Sequence, residues 1–426
     1  MKSTTASILL VVLAVSLLRA ENIKKDADHA DASSNPQDPG SYKMLTTGDK
    51  QHGNAVDLFI PKAYAEKKDK RFPVLWMIGC WGCKDFNKLE AWAEKNEFIL
   101  ADLPKVEWNT NPAEAREMLK DAEKFLSHIR IHPSLQFILA VDRWVGQQAF
   151  FMYGNNPKAV AGLILSGVRY YTDSAEVGRH TTVVAIFGDQ PDSLARPSEI
   201  RAGLDRLQKK TYNVMVHVMS GKTATAVPDV KTFQNLLDAA FIYQSVTNPG
   251  LSNKEVQENL ARADKTIAGA AISESARDRL DTLTAFVKMP RLESLKFSKT
   301  LTEEWYKAFV EAFRSATAKE AFTILSDPFV DKLVRAMPAS YRNEFSGPYS
   351  EMTRSEDYLA EVAAGVALRP VLEKFDEAAS RNDAKKLLKA KDDLSDFIEK
   401  YSGTLAAETA RSAKSSMNSN VIEPKK

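Results

Sequence analysis

Two cysteines stand at CxxC spacing in Cys80-Trp81-Gly82-Cys83, after an apolar run and before a stretch of helical texture. A thiol at the start of a helix meets the partial positive charge of the helix end, which favours thiolate. The pair can therefore work as a dithiol–disulfide couple, or close as a structural disulfide over its own loop. Two cysteines with no histidine pair at ligand spacing give half a zinc site, so neither a metal nor another cofactor is expected. A second stretch able to carry chemistry is Asp142-Arg143-Trp144, directly after the apolar run Phe137–Val141. Arg143 is cationic at any accessible pH and cannot be an acyl nucleophile, which leaves Asp142 as the alternative there. Asp189 and Asp192 follow a third apolar run, Val183–Phe187. The last histidine in the chain is His217, which alternates with Val216 and Val218 as a sheet-face residue does.

The elements that must position these residues read as strand, helix, strand, repeated. Val74–Ile78 is a continuous apolar run, as expected of a strand buried on both faces. An early strand over Val56–Ile60 precedes it; a helix from about Phe86 to Lys95 and a strand over Phe98–Leu103 follow. Pro112 opens a helix whose Ala115, Met118, Leu119, Ala122, Phe125, Leu126 and Ile129 recur at helical spacing. Strand Phe137–Val141, helix Gln147–Tyr153 and strands Gly162–Ser166, Val183–Phe187 and Val214–Met219 complete the series. Such alternation predicts an α/β fold with a doubly wound, mostly parallel sheet over residues 42–247.

This order resembles the α/β-hydrolase superfamily, especially dienelactone-hydrolase-like and polyhydroxybutyrate-depolymerase-like esterases. Phe72–Gly79 is similar to the strand that ends in that family's oxyanion turn, and Phe137–Gly146 to the strand entering its nucleophile elbow. Asn156–Gly167 is similar to the helix end and strand that follow the elbow, and Val183–Asp189 to the strand before the acidic triad member. The likeness covers about 200 residues, roughly half the chain. It implies a Ser-His-Asp triad, a strained serine between small residues, and an imidazole after the last long strand. Here the resemblance places Arg143 at the serine position and Asp189 or Asp192 at the acid position. The loop Ser220–Ala226 after the last strand contains no histidine. Esterase chemistry is therefore expected to be lost, with a binding or scaffolding role in its place. In that frame Trp81 and Trp144 face each other across the former active site with Arg143 between them, a pocket for a small planar or anionic ligand. Trp76, Trp92 and Trp108 are further aromatics able to line a cleft at the strand ends. Locally, residues 74–103 also resemble a thioredoxin-like redox site built on Cys80 and Cys83, which keeps a thiol–disulfide function open. A divergent serine-independent hydrolase using Asp142 remains the other alternative.

After Thr247 the texture becomes almost wholly helical to about residue 414, without Cys or His. Ser252…Glu255 and Thr300…Glu303 both fit capping boxes at helix starts. Leu368, Val371, Leu372, Phe375 and Ala379 form one apolar face, and Leu387, Leu388, Leu394, Phe397, Ile398 and Tyr401 another, across a turn at Arg381-Asn382-Asp383. The run Phe397–Ala407 is similar to the end of a tetratricopeptide-like hairpin, which implies a protein partner for the helical domain. Residues 415–426 are polar and read as a disordered tail.

Lys2, the apolar run Ile8–Leu18 and Leu18-Arg19-Ala20 describe a secretory signal over residues 1–20, ahead of a polar linker over 21–41. The expected protein is exported, periplasmic or extracellular, with no membrane span in its mature form. Over 426 residues, 44% hydrophobic and 27% charged content excludes collagen-like, low-complexity and polytopic membrane classes. With 58 Lys and Arg against 56 Asp and Glu, and no basic stripe interleaved with aromatics, nucleic acid is not an expected partner.

Overall fold

The computed structural model describes residues 40–45, 55–78, 86–103, 126–141, 145–146, 149–150, 159–168, 181–191, 197–209, 213–272, 275–381 and 383–420. Its most apolar runs form a single sheet. In chain order the elements are β1 (Gly40–Leu45), β2 (Ala55–Ile60), α1 (Ala63–Glu66), β3 (Phe72–Ile78), α2 (Phe86–Asn96) and β4 (Ile99–Leu103). They continue with β5 (Ile131–Val141), β6 (Val160–Ser166), β7 (Thr182–Gln190), α3 (Pro197–Lys209) and β8 (Asn213–Thr223). The sheet runs β1-β2-β4-β3-β5-β6-β7-β8. β2 pairs antiparallel with both β1 and β4, and every other pairing is parallel. This is a sheet of α/β-hydrolase type.

Strands β3, β4 and β6 are buried along their whole length, which explains their near-continuous apolar sequence. Alternate residues serve opposite faces: Leu75 and Met77 belong to the apolar cluster that holds Trp92 of α2, while Trp76 and Ile78 belong to the one that holds Leu204 of α3. β1 is a strand the sequence pattern does not announce. β7 and β8 run beyond the apolar runs that announce them, through polar residues to Gln190 and Thr223. A bulge makes that extension possible. The β7–β8 register shifts at Gly188, where a Cβ would overlap the Lys222 and Thr223 carbonyls, so only glycine permits the crossing.

The helices after β8 are α4 (Val230–Thr247), α5 (Asn253–Ala271), α6 (Ala276–Val287), α7 (Ser298–Arg314), α8 (Ala318–Leu325), α9 (Pro328–Arg335) and α10 (Ala339–Arg354). α11 (Glu356–Ser380), α12 (Ala384–Lys400) and α13 (Leu405–Asn420) follow. Helix α4 lies on the sheet and is locked there by polar contacts: Gln244 Nε2 donates to Thr182 Oγ1 at 2.7 Å, and Trp92 Nε1 to Asp238 Oδ1 at 2.8 Å. The apolar cluster on this sheet face continues without a break into Phe286 of α6 and Trp305, Phe309 and Phe313 of α7. Helices α11–α13 carry a separate cluster around Leu368, Leu372, Phe375 and Leu394.

The Ser252…Glu255 capping box opens α5 with both reciprocal bonds in place. Thr300…Glu303 is not a cap. A 3-10 turn over Leu292–Ser294 leads into α7 at Ser298, one step past buried Phe297, so these residues fall inside the helix. The box at this level of the chain is Thr317…Glu320, at the start of α8. Asp383 caps α12 by accepting from Lys386 N–H. Leu388 is 66% exposed and stands apart from the apolar face expected to include it. Helix α13 continues past Ser415 to Asn420. No helix among the described residues is long and apolar enough to cross a membrane.

Candidate functional site

Folds of this type bind ligands at the carboxyl ends of the strands. Asp189 is there, near the end of β7. Cys80, Trp81, Cys83, Asp142, Arg143, Trp144 and Asp192 lie outside the described residues. Of the further tryptophans, Trp76 and Trp92 are packed in the core, their indole N–H groups bonded to Gln136 and Asp238. Just beyond the elbow position, Gly146 meets Val168 so closely that any Cβ would overlap it. Ser166, next to Val141 in register, is fully buried at the end of β6, with no hydrogen-bond partner for its Oγ among the described residues.

Asp189 Oδ1 accepts from Gly221 N–H at 2.8 Å and from the Gln190 side-chain amide at 3.1 Å. Burial holds the carboxyl above its ordinary range, against the lowering effect of those donors and of the Arg369 guanidinium on α11. The helices reach this end of the sheet. A Cβ on Gly221 would lie 3.5 Å from Leu405 of α13, and Ser220 Oγ points at Thr323 O of α8 at 3.5 Å. The stretch Ser220–Ala226, where the resemblance would place the imidazole, runs from the end of β8 into the following turn; both it and the chain on to Asp229 are described and carry none.

The described histidines are elsewhere. His128 is exposed ahead of β5. His132 sits at the amino end of β5, where its Nε2 is 3.3 Å from Glu255 of the α5 capping box and its Nδ1 accepts from Ser134 N–H. Burial lowers its pKa. His217 is paired in register with Ile186, three residues before Asp189 on β7, so it stands about 10 Å down the sheet from the acid.

His217 belongs to a constellation that the sequence reading passes over. Its Nδ1 is 3.5 Å from Lys288 Nζ, which donates to Asp327 Oδ2 at 2.5 Å. The Lys288 side chain is 1% exposed. Lys288 ends α6 and Asp327 caps α9, so cation and anion each complement a helix terminus. Asp327 Oδ1 also accepts Phe329 N–H, and the neighbouring ammonium holds its carboxyl below the usual range against the opposing effect of burial. Burial and the Lys288 charge push His217 down to about 3, so its imidazole is neutral. The one available signal was a lysine inside the apolar run Ala285-Phe286-Val287-Lys288-Met289.

Two cavities flank this group along β8, one of the sheet's two edge strands. One of about 1180 Å³ lies between α3, β8 and the chain from Val287 to Tyr341. The other, about 580 Å³, is lined by His217, Asp229, Arg277, Asp281 and Thr284. Asp327 borders both. Among the described residues no group of three or more His, Cys, Asp or Glu is placed to hold a metal ion.

Fold and described site together define an α/β-hydrolase-type scaffold with a buried acid at the strand ends and a Lys–His–Asp group at the sheet edge. No family model matches the chain, and no curated protein does. Solved structures similar to it include a thermostable esterase, at 13% identity and a TM-score of 0.32 over 43% of this chain and 55% of that one. A dienelactone hydrolase-like promiscuous phosphotriesterase from metagenomic libraries gives 11% and 0.36, over 54% of this chain and 98% of that one. An α/β serine hydrolase without lid from Xanthomonas campestris gives 11% and 0.35, over 48% and 94%. The chain thus spans little more than half the length of the thermostable esterase.

Proposed function

We propose that this is an exported α/β-hydrolase-type protein that does not turn over esters and acts by binding, with its helical region available to a protein partner. One observation carries the reading. The described loop after β8, which the fold sets beside Asp189, has no imidazole, and the histidine of β8 is neutral and engaged with Lys288 about 10 Å away. Acyl transfer needs a base within hydrogen-bond reach of its nucleophile and an acid orienting that base. The sequence at the elbow, Val141-Asp142-Arg143-Trp144-Val145, offers no serine either. Export rests on Lys2 and the apolar run Ile8–Leu18, and it favours an oxidised Cys80–Cys83 pair.

The test is to treat the purified protein with a fluorophosphonate probe and with p-nitrophenyl acetate and butyrate. No adduct and no hydrolysis above the buffer rate are expected. Hydrolysis that disappears in Asp142→Ala or Arg143→Ala protein would overturn the proposal. For export, the secreted form should begin at Glu21 by intact mass. The cysteine pair should stay oxidised in glutathione buffers down to about −300 mV, as structural disulfides do.

A further inference from the structure

We propose that helix α11 is a self-association surface, on which a second copy of this chain lays the same helix antiparallel. Among the described residues seven large apolar side chains are exposed, and three of them fall on one face of α11: Leu359 at 53%, Val362 at 36% and Val366 at 72%. Their spacing of three and four residues, with exposed Ala363 and Pro370 beside and beyond them, makes a continuous stripe. The stripe is not the side by which the helix is held. Ala364, Leu368, Leu372 and Phe375 are buried on the opposite side, where α11 packs with α8, α12 and α13. A surface helix ordinarily turns charge outwards, as α12 does with Lys385, Lys389, Asp392 and Asp396. The first half of α11 does not.

The order of residues along the stripe identifies the occupant. Leu359 and Val366 are equally spaced about the Val362–Ala363 peptide bond, and so are Glu356 and Arg369, both exposed. Two copies of α11 that cross antiparallel at that point set Leu359 against Val366, Val362 against Ala363 and Glu356 against Arg369, each pairing made twice. A two-fold interface demands this matching, because residue i meets j and j meets i. A different partner imposes no such symmetry on this chain. Neither Glu356 nor Arg369 forms an ion pair among the described residues, and the field of Arg369 reaches Asp189 without a bond. One helix pair lies at the small end of interface sizes, so the association is weak, of micromolar order, and the monomer folds without it.

Sedimentation velocity on the purified full chain, across micromolar concentrations, should show a reversible monomer–dimer equilibrium. Val366→Glu sets a carboxylate against Leu359 at both ends of the stripe and should weaken the dimer by at least about tenfold, with the urea midpoint of the monomer unchanged. Glu356→Arg and Arg369→Glu should each weaken it about fivefold, since each sets like charges face to face twice. Mixing those two variants should restore association, because every Glu then meets an Arg. Should Val366→Glu fail to fold, the mixture decides. A monomer at every concentration, a dimer that Val366→Glu leaves intact, or a mixture that associates no better than its components overturns the inference. It rests on the reading above that the helical region serves a protein partner, but the two fail separately. Ester turnover would sink that reading and leave the dimer measurable, whereas a monomeric chain without turnover would sink only this one.

Discussion

The carboxyl end of the sheet and its β8 edge treat charge in opposite ways. At the carboxyl end the described polar groups are absorbed by the scaffold. Asp189 is tied to a backbone N–H across a bulge, Ser166 is sealed with no partner among the described residues, and α13 closes over Gly221. At the edge, two helix ends bring a lysine and an aspartate together in the interior and leave open space on both sides of them. Desolvating such a pair costs more than burying apolar side chains of the same size, so its presence is not explained by stability. The difference teaches that a fold's usual ligand position and its costly, cavity-lining charges need not coincide.

The largest expected effect breaks the edge itself. Lys288→Met leaves the Asp327 carboxylate buried without its cation and should cost about 3–5 kcal/mol of unfolding free energy. Urea unfolding followed by tryptophan fluorescence measures it. Lys288→Met/Asp327→Leu should recover most of that loss, less about 1 kcal/mol for the missing α9 cap. A single variant costing under about 1 kcal/mol would mean the pair is effectively solvated, and the contrast between the regions would collapse.

Acid should act on the same place. His217 titrates at about 3 in the folded chain against an ordinary 6.5, so the unfolded state binds the proton first. Its contribution is intact above pH 6.5 and is lost as pH falls towards 3, about 3 kcal/mol of it between pH 7 and 4. His217→Gln should flatten stability over that range. Asp238, held by Trp92 under α4, has the opposite sign. Burial raises it to about 6 from 3.8, so stability is full below pH 3.8 and is lost as pH rises through 6. Asp238→Asn keeps the acceptor for the indole N–H and should stabilise by about 2–3 kcal/mol at pH 7 and by nothing at pH 3.5. Unfolding midpoints across the pH series test both signs together.

Much of the sheet was legible because fully buried strands leave continuous apolar runs, as in Val74–Ile78 and Val183–Phe187. The capping box at Ser252 and the turn at Asp383 were legible for a local reason: a cap is a contact between residues three apart. Thr300 misled because its spacing fits a cap while buried Phe297 and Leu301 start the helix earlier. Asp189 was found at its strand end through the family likeness. The Lys288–Asp327–His217 group was not, since its members are 39 and 71 residues apart and only tertiary packing joins them. The β8 edge that lines both cavities is likewise a product of strand order, which no run of residues encodes.

The smallest expected effect is the most informative about the carboxyl end. Asparagine at 189 keeps an oxygen for Gly221 N–H and removes a carboxylate whose charge is disfavoured by burial. Asp189→Asn should therefore change stability by less than about 1 kcal/mol, whereas Asp189→Ala orphans the N–H and should cost about 1–3 kcal/mol. A scaffold role predicts that order, with the ester background unchanged in both variants. If Asp189 instead oriented a catalytic imidazole, Asp189→Asn would fold as well as the unaltered chain and still lose about 10⁴-fold in turnover. Paired measurement of unfolding free energy and p-nitrophenyl acetate hydrolysis on the two variants therefore separates a carboxylate that holds a bulge from one that holds a base.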